Sequence, residues 1–438
     1  MAEIAPFKGM LYNRDKVGSL DLVVAPPYDV ITSQQQRELY NRSPWNVVRL
    51  VLGYEEPNSA TCNRYTRAAE YWKQWTEEGI IEEDPVPAIY LCQEEYALAG
   101  ERRVRKGFIA LVKLEDYGSG SVKPHEHTME GPRADRLRLM RATGANLSLI
   151  LSMYSDPWQT VNRLMEGRYA SVPELSAPTQ NGTLHKLWRV TDQEAIGQIV
   201  ESMRGKNIII GDGHHRYETA LAFRDEMRKR PPQGEHQGFE YVPMCLANFN
   251  DEGTSILPVH RLVRNLPSFD PQSFLKKVAE RFELREMAGT RETALRRMLH
   301  EMGEDPHGHT TFGLYLDGRF SVLALRDSAG LDDVTPLHRP REWRELTVTV
   351  LRYLLLQDVL GLDEATIAEG QHIGYTVDVD EAAEGVDSGE YRLAFFVNPT
   401  KASEVCSVAL QGERMPQKST YFYPKLLSGL VMRRIVGP

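Results

Sequence analysis

Blocks of β-branched and aliphatic residues alternate along this chain with stretches in which apolar residues return every three or four positions, the two rhythms of strands and amphipathic helices. Residues 22–31 read as a short strand entering a Pro-Pro turn, and 33–40 as a helix. The β-branched run 46–52 predicts a strand, 61–78 a helix, and 88–93 with 105–112 a pair of strands. A basic helix over 135–142 and a buried strand over 145–154 follow. The strand 207–210 then runs into Gly211-Asp212-Gly213 and a helix over 216–228. The Pro- and Gly-rich stretch 231–238 is a surface loop, followed by strands over 241–248 and 255–263. Beyond it, helices at 274–282, 290–302 and 346–360 alternate with strands at 311–316, 320–325 and 391–396. The pattern predicts a mixed α/β chain without internal repeats. The loop 330–344 offers the better domain break, giving a mixed α/β portion over 1–330 that carries the motifs below and a C-terminal α+β portion over 331–438.

Composition narrows the function classes. A chain of 438 residues with 41% hydrophobic composition can bury a core of two or three structural units. Its 52 Lys and Arg against 61 Asp and Glu leave a formal charge of −9, which argues against a general nucleic-acid grip built on clustered basic charge. The start lacks the basic and apolar blocks of a signal peptide, and no apolar run approaches the roughly 20 residues of a membrane helix. The cytoplasm is the expected location, with no membrane partner. Cys62, Cys92, Cys245 and Cys406 lie far apart without a CxxC pair and read as ordinary thiols.

The segment Ile208-Ile209-Ile210-Gly211-Asp212-Gly213-His214-His215-Arg216 carries the strongest chemical signal. A strand that ends in a glycine turn and passes at once into a helix points free backbone N–H groups and the positive helix end at one place, where anions bind. Gly211 and Gly213 let a phosphate approach the backbone, His214 and His215 add switchable donors, and the Arg216 guanidinium can grip phosphate oxygens in pairs. Asp212 could hold a magnesium ion or cap the helix.

A second cluster is Lys123-Pro124-His125-Glu126-His127-Thr128, followed by Arg133 and Arg136. Extended backbone puts His125 and His127 on one side, as two metal ligands or two phosphate donors. The cationic surroundings of Lys123 and the arginines favour an anion. Asp29, in Ala25-Pro26-Pro27-Tyr28-Asp29-Val30-Ile31, is a candidate general base or a cap for the helix after it. Leu257-Pro258-Val259-His260-Arg261 and the stretch from Met415-Pro416-Gln417-Lys418 through Tyr423-Pro424-Lys425 are further candidates. The latter suits an anion site or a packed aromatic surface.

Taken together, Pro6-Phe7-Lys8-Gly9, the Pro-Pro-Tyr-Asp segment, His125-Glu126-His127-Thr128, the Gly211 to Ala220 run, Leu257 to Arg261 and Met415 to Lys425 resemble domain-of-unknown-function family 1015 over nearly the whole chain. The Asp212-Gly213-His214-His215-Arg216 core is also similar to the phosphate-binding turn of the ParB/sulfiredoxin superfamily. That superfamily includes a CTP-dependent DNA-partition switch, ATP-dependent sulfiredoxin and an ADP-dependent free serine kinase. The resemblance implies a ParB/sulfiredoxin-like core carrying large insertions, with Gly213 and Arg216 on nucleotide phosphates. Sulfiredoxin needs a cysteine in this turn and the partition protein a basic DNA-binding portion; the double-histidine form stands nearest the serine kinase.

The resulting expectation is a nucleotide-dependent phosphotransferase acting on a small hydroxyl metabolite, with free serine as a candidate acceptor and ATP or ADP with Mg2+ as cofactors. Gly211, Gly213, Arg216, Lys123, His125, His127 and Lys418 would bind the nucleotide, Asp212 would place the magnesium, and Asp29, His214 and His215 would act in transfer. Two rival readings are a metal-dependent hydrolase, with His125, His127, Asp212 and His214 or His215 around a metal-bound water, and a non-catalytic nucleotide-binding regulator.

Overall fold

The computed structural model describes residues 2–435 apart from 119, 129, 231–237, 305–309 and 328–330, and of residue 368 the backbone alone. Most of the loop expected at 231–238 lies outside the described residues. The chain divides into two compact units, one of Met1–Pro124, Thr128–Ser255 and Phe422–Pro438, the other of His125–His127 and Ile256–Tyr421. A break at 330/331 therefore falls inside the second unit. It would part strands Thr311–Leu316 and Leu393–Val397, which pair directly across the loop that suggested it.

The first unit is built on a mixed sheet of nine strands among the described residues: β1 (Ile4–Ala5), β2 (Ile89–Leu98), β3 (Glu101–Lys113), β4 (Val122–Lys123), β5 (Ile150–Tyr154), β6 (Leu175–Pro178), β7 (Leu184–Val190), β8 (Ile208–Asp212) and β9 (Tyr241–Asn248). Their order is β4-β8-β5-β9-β3-β2-β7-β6, with β1 beside β3. The hairpin β2-β3 and its neighbour β9 form the centre, and their near-continuous burial is that of strands covered on both faces. Helices α1 (Ser33–Arg42), α2 (Val48–Val51), α3 (Arg64–Glu77), α4 (Glu130–Thr143), α5 (Gln193–Met203) and α6 (His214–Arg228) belong to this unit. Ile199 and Met203 of α5 and Tyr217, Ala220 and Phe223 of α6 share a core with Ile208, Ile210 and Leu246.

The run 46–52, expected as a strand, instead carries the helical turn α2. Val48, Leu50 and Val51 are all buried, so packing on every side overrides the modest preference of β-branched residues for extended backbone. Asn46, fully buried, fixes the turn. Its amide donates to the carbonyls of Leu22 and Val24, and its side-chain oxygen accepts the Val48 N–H. Asn46→Leu leaves those three backbone groups without this partner and is expected to lower the urea-unfolding free energy by about 2–4 kcal/mol.

In the second unit, β10 (His260–Val263), β11 (Phe282–Glu286), β12 (Thr311–Leu316), β13 (Arg319–Leu325), β14 (Ile373–Thr376) and β15 (Leu393–Val397) lie in the order β11-β13-β12-β15-β10-β14. All pairings within this sheet are antiparallel. The expected helix 346–360 is present as Thr347–Val350 continued in π geometry over Leu351–Val359, and its Leu351, Leu354 and Leu355 pack with Phe312 and Phe395. The α/β expectation thus holds. Among the described residues, no helix is long and apolar enough to cross a membrane.

Candidate functional site

The strand-turn-helix read from the sequence is present. β8 ends at Asp212, Gly213 stands at φ +98°, and α6 begins at His214. The pairing of β8 with β5 slips at Gly211, where Ile210 faces Ser152 but Asp212 faces Leu151; such a bulge turns the end of a strand out of its ladder. A Cβ on Gly213 would stand 2.8 Å from Arg216 Nε, so glycine is required here both for the backbone angle and for the arginine folded over it.

Asp212 is the hub of this turn. Its Oδ2 accepts from Arg216 at 2.7 Å and its Oδ1 from Lys425 Nζ at 2.8 Å, while Arg216 also donates to the Leu149 carbonyl. Burial works against a charge on Asp212, but Lys425 and Arg216, with a contribution from His214, outweigh it and hold the carboxyl well below its usual range. The carboxylate therefore anchors two cations and does not stand free as the magnesium ligand expected from the sequence. Nor does it cap the helix, for Gly213 occupies the cap and no side chain bonds there.

Beside the turn lies a cavity of about 50 Å³ whose lining includes Tyr28, Arg136, Ser148 and Arg216. That is room for a few water-sized groups, the scale of an anion head and not of a whole nucleotide. The Arg136 guanidinium lies 3.9 Å from the Tyr28 ring centre and is held by Asp135 and the Val51 carbonyl. Burial pushes the Tyr28 hydroxyl up to about 12; Asp29 and Asp135 add to the shift, and Arg136 and Arg216 oppose it. Tyr28 thus feels Asp29 and Arg216 together, although a long stretch of sequence separates them. Asp29 itself is exposed on a short 3-10 turn, Tyr28–Val30, and the helix after it is capped by Thr32 and Gln35, which leaves Asp29 no capping role.

The other expected residues divide between the units. Lys123 lies on β4, opposite Ile209 of β8. His214 is buried at the first position of α6, and His215 is half-buried. In the second unit, His125 is fully buried with Nε2 2.8 Å from Thr420 Oγ1, and its carbonyl accepts the Met415 N–H. His127 keeps an exposed surface, yet partial loss of solvation on the side of its ring set against the protein, with the charges of Arg414 and Arg339, lowers its pKa. The two histidines, expected as a matched pair, stand in unlike settings. Lys418 is exposed at φ +59°; its backbone N–H donates to Glu126, and its carbonyl accepts from the buried Arg261.

Two residues take roles that their sequence context does not show. Lys425 shares a candidate anion stretch with Lys418 but has no partner legible in the sequence, and Arg136 counts in the sequence among the cationic surroundings that favour an anion near His125 and His127, with nothing there to link it to Tyr28. Nothing short of the fold could have paired Lys425 with Asp212. Among the described residues, the group of ligand atoms close enough to hold a metal ion is Cys92, Glu94 and Cys245, not the histidine set of the hydrolase reading.

Residues 4–349 match a protein family described as "Protein of unknown function (DUF1015)". None of the curated proteins matches the chain. Among solved structures, free serine kinase in complex with AMP is 15% identical, with 72% of this chain and 86% of that chain covered and a TM-score of 0.35. A conserved hypothetical protein from Pyrococcus furiosus is 15% identical, covering 73% of this chain and 92% of its own, at a TM-score of 0.34. SbnI with C-terminal truncation from Staphylococcus aureus is 12% identical, with coverage of 73% and 85% and a TM-score of 0.33.

Proposed function

The chain belongs to the DUF1015 family, whose name carries no activity, and we propose from its own residues that it is a nucleotide-dependent phosphotransferase acting on a small hydroxyl metabolite, with free serine as the candidate acceptor. One observation carries the reading. A bulged strand passes through left-handed Gly213 into the N-terminus of α6, with Arg216, Arg136 and Tyr28 around an anion-sized cavity beside it.

In this proposal the backbone at Gly211 and Gly213 and the guanidinium of Arg216 hold phosphates of ATP or ADP, as the resemblance of the turn to the ParB/sulfiredoxin superfamily implies. Asp212 keeps Arg216 and Lys425 in place, so the cations need little rearrangement when a phosphate arrives. His214 and His215 stabilise charge on the transferred group. Asp29, exposed on its rigid turn, accepts the proton of the attacking hydroxyl. With both Asp212 oxygens engaged, magnesium would enter with the nucleotide's own phosphates as its principal ligands.

Isothermal titration with ADP, ATP and CTP tests binding, and transfer of labelled phosphate to serine tests catalysis. Arg216→Gln removes a charge-assisted contact of about 1.5–3 kcal/mol and is expected to weaken nucleotide binding about 10- to 100-fold. Wild-type protein that binds none of the three, or an Arg216→Gln protein that is folded and binds equally well, refutes the reading.

A further inference from the structure

At the centre of the first unit's sheet, four strands point a set of polar side chains onto one face. Along a strand, alternate residues share a face, and directly paired residues share it too. Cys92 and Glu94 lie two apart on β2; Glu94 pairs with Arg105 of β3 and with His185 of β7. Cys92 pairs with Gly107, and Gly107 with Ala247 of β9, two residues from Cys245. Cys92, Cys245, Glu94, Arg105 and His185 are each no more than 2% exposed. The two sulfurs are 3.1 Å apart, and the ligand atoms of Cys92, Glu94 and Cys245 lie within 4.8 Å of one another.

The group is not satisfied by the protein around it. Glu94 Oε2 accepts from Arg105 Nε at 3.0 Å, but Glu94 Oε1 and His185 Nδ1, 3.9 Å apart, have no hydrogen-bond partner among the described residues. Burying a carboxylate oxygen and an imidazole nitrogen without partners is costly. A cation in contact with them would remove that cost.

We propose that Cys92, Cys245 and Glu94 are ligands of a structural zinc ion, and that His185, whose Nδ1 faces Glu94 Oε1 at 3.9 Å but stands outside the set of ligand atoms within 4.8 Å of one another, turns toward the ion on binding to become the fourth ligand. Thiolate, imidazole and carboxylate are the zinc ligand types, and closed four-coordinate sites are structural. Binding replaces two thiol protons by one Zn2+, Zn2+ + 2 RSH → Zn(SR)2 + 2 H+, with no change of oxidation state. Before it, Glu94 and Arg105 cancel each other; after it, two thiolates and Glu94 balance Zn2+ and Arg105. The buried cluster is neutral in both states, and Arg105 is what allows a third anionic ligand without net charge.

The alternative chemistry for two close sulfurs is a disulfide, and the topology opposes it. β2 and β9 are not neighbours; β3 lies between them, so their backbones are about 9–10 Å apart. Disulfides need Cα atoms within about 7 Å. Zinc thiolates at about 2.3 Å need sulfurs just under 4 Å apart, a separation these side chains reach by moving slightly away from each other. Gly107 gives them the space, for a Cβ there would stand 3.3 Å from Cys92 Sγ and 2.8 Å from the Leu246 carbonyl oxygen.

The test uses the full chain produced in medium with cobalt in place of zinc, so that metal is present as the buried site folds. One Co2+ per chain is expected, with the near-ultraviolet charge-transfer absorption of cobalt thiolate. Cys92→Ser and Cys245→Ser should lose that absorption, and Cys62→Ser and Cys406→Ser should keep it. Wild-type protein with no cobalt-thiolate absorption, retention of the band in either Cys92→Ser or Cys245→Ser, or a Cys92–Cys245 disulfide in the purified chain overturns the proposal. If the two core variants fail to fold, loss of the wild-type band in Cys62→Ser, the half-buried thiol, or in Cys406→Ser, a buried thiol of the second unit, likewise overturns it, and its persistence in both supports it.

Discussion

Replacing Asp212 by Asn is expected to cost about 3 kcal/mol of unfolding free energy and to abolish nucleotide binding at the turn. The carboxylate answers two cations, Arg216 and Lys425, whose side chains are 12% and 15% exposed. Removing one member of a buried pair costs about 3–5 kcal/mol, because the remaining charges lose their partner; the partial exposure here puts the value at the low end. Acid unfolding supplies an independent check. The folded-state pKa of Asp212 is depressed, so its contribution is fully present above the unfolded value of about 3.9 and is lost as pH falls from there toward the lower native value. Wild-type stability should therefore drop below about pH 4 through this group, and Asp212→Asn should lack that part of the drop. An unchanged acid limb in the variant would show that the carboxylate is not held by its two cations.

The second large effect is expected at Arg105. Arg105→Met is nearly isosteric along the stem but leaves Glu94, 1% exposed, as an unpaired carboxylate inside the sheet, and it also frees the Pro424 carbonyl that Arg105 holds at 2.8 Å. In metal-stripped protein, urea unfolding should show a loss of about 3–5 kcal/mol. Arg105→Met with Glu94→Leu in the same chain should recover most of it, since the loss comes from the stranded charge and not from missing volume. Equal instability of the single and double variants would contradict this account.

The elements legible in the sequence are those whose signal is local. The change from an isoleucine run to glycines and then to a 3.6-residue rhythm announced β8, the turn and α6, and the bulge at Gly211 was the one part of it without a sequence mark. Likewise the helix after Thr32 carries its own capping box. The 46–52 run misled because β-branched residues are read as strand wherever their burial on all sides is unknown. The site was legible as a set of residue types and not as a set of partners. Asp212 meets Lys425 from a distant part of the chain, and Tyr28 comes within the field of Arg216 only in the folded unit. Cys92 and Cys245 looked like unrelated thiols because no spacing rule links residues that lie 153 apart and meet across a third strand. His125 and His127 follow the alternation rule by position, yet one is sealed against Thr420 and the other open, since burial is decided by what packs on each.

The segment Phe422–Pro438 returns to the first unit after the whole of Ile256–Tyr421 has intervened, and it brings Lys425 to Asp212 and the Pro424 carbonyl to Arg105. During synthesis, domains tend to fold as they emerge, N-terminal part first. Here that order cannot finish the job. A ribosome that has made everything through Tyr421 carries a first unit whose Asp212 lacks one counter-ion and whose Arg105 lacks one acceptor, while the second unit is already fully translated. Completion of the Asp212 turn is thereby tied to translation of Phe422–Pro438, and a nascent chain stalled or cut before Phe422 would leave Asp212 and the buried Arg105 short of these partners and more open to chaperones and proteases.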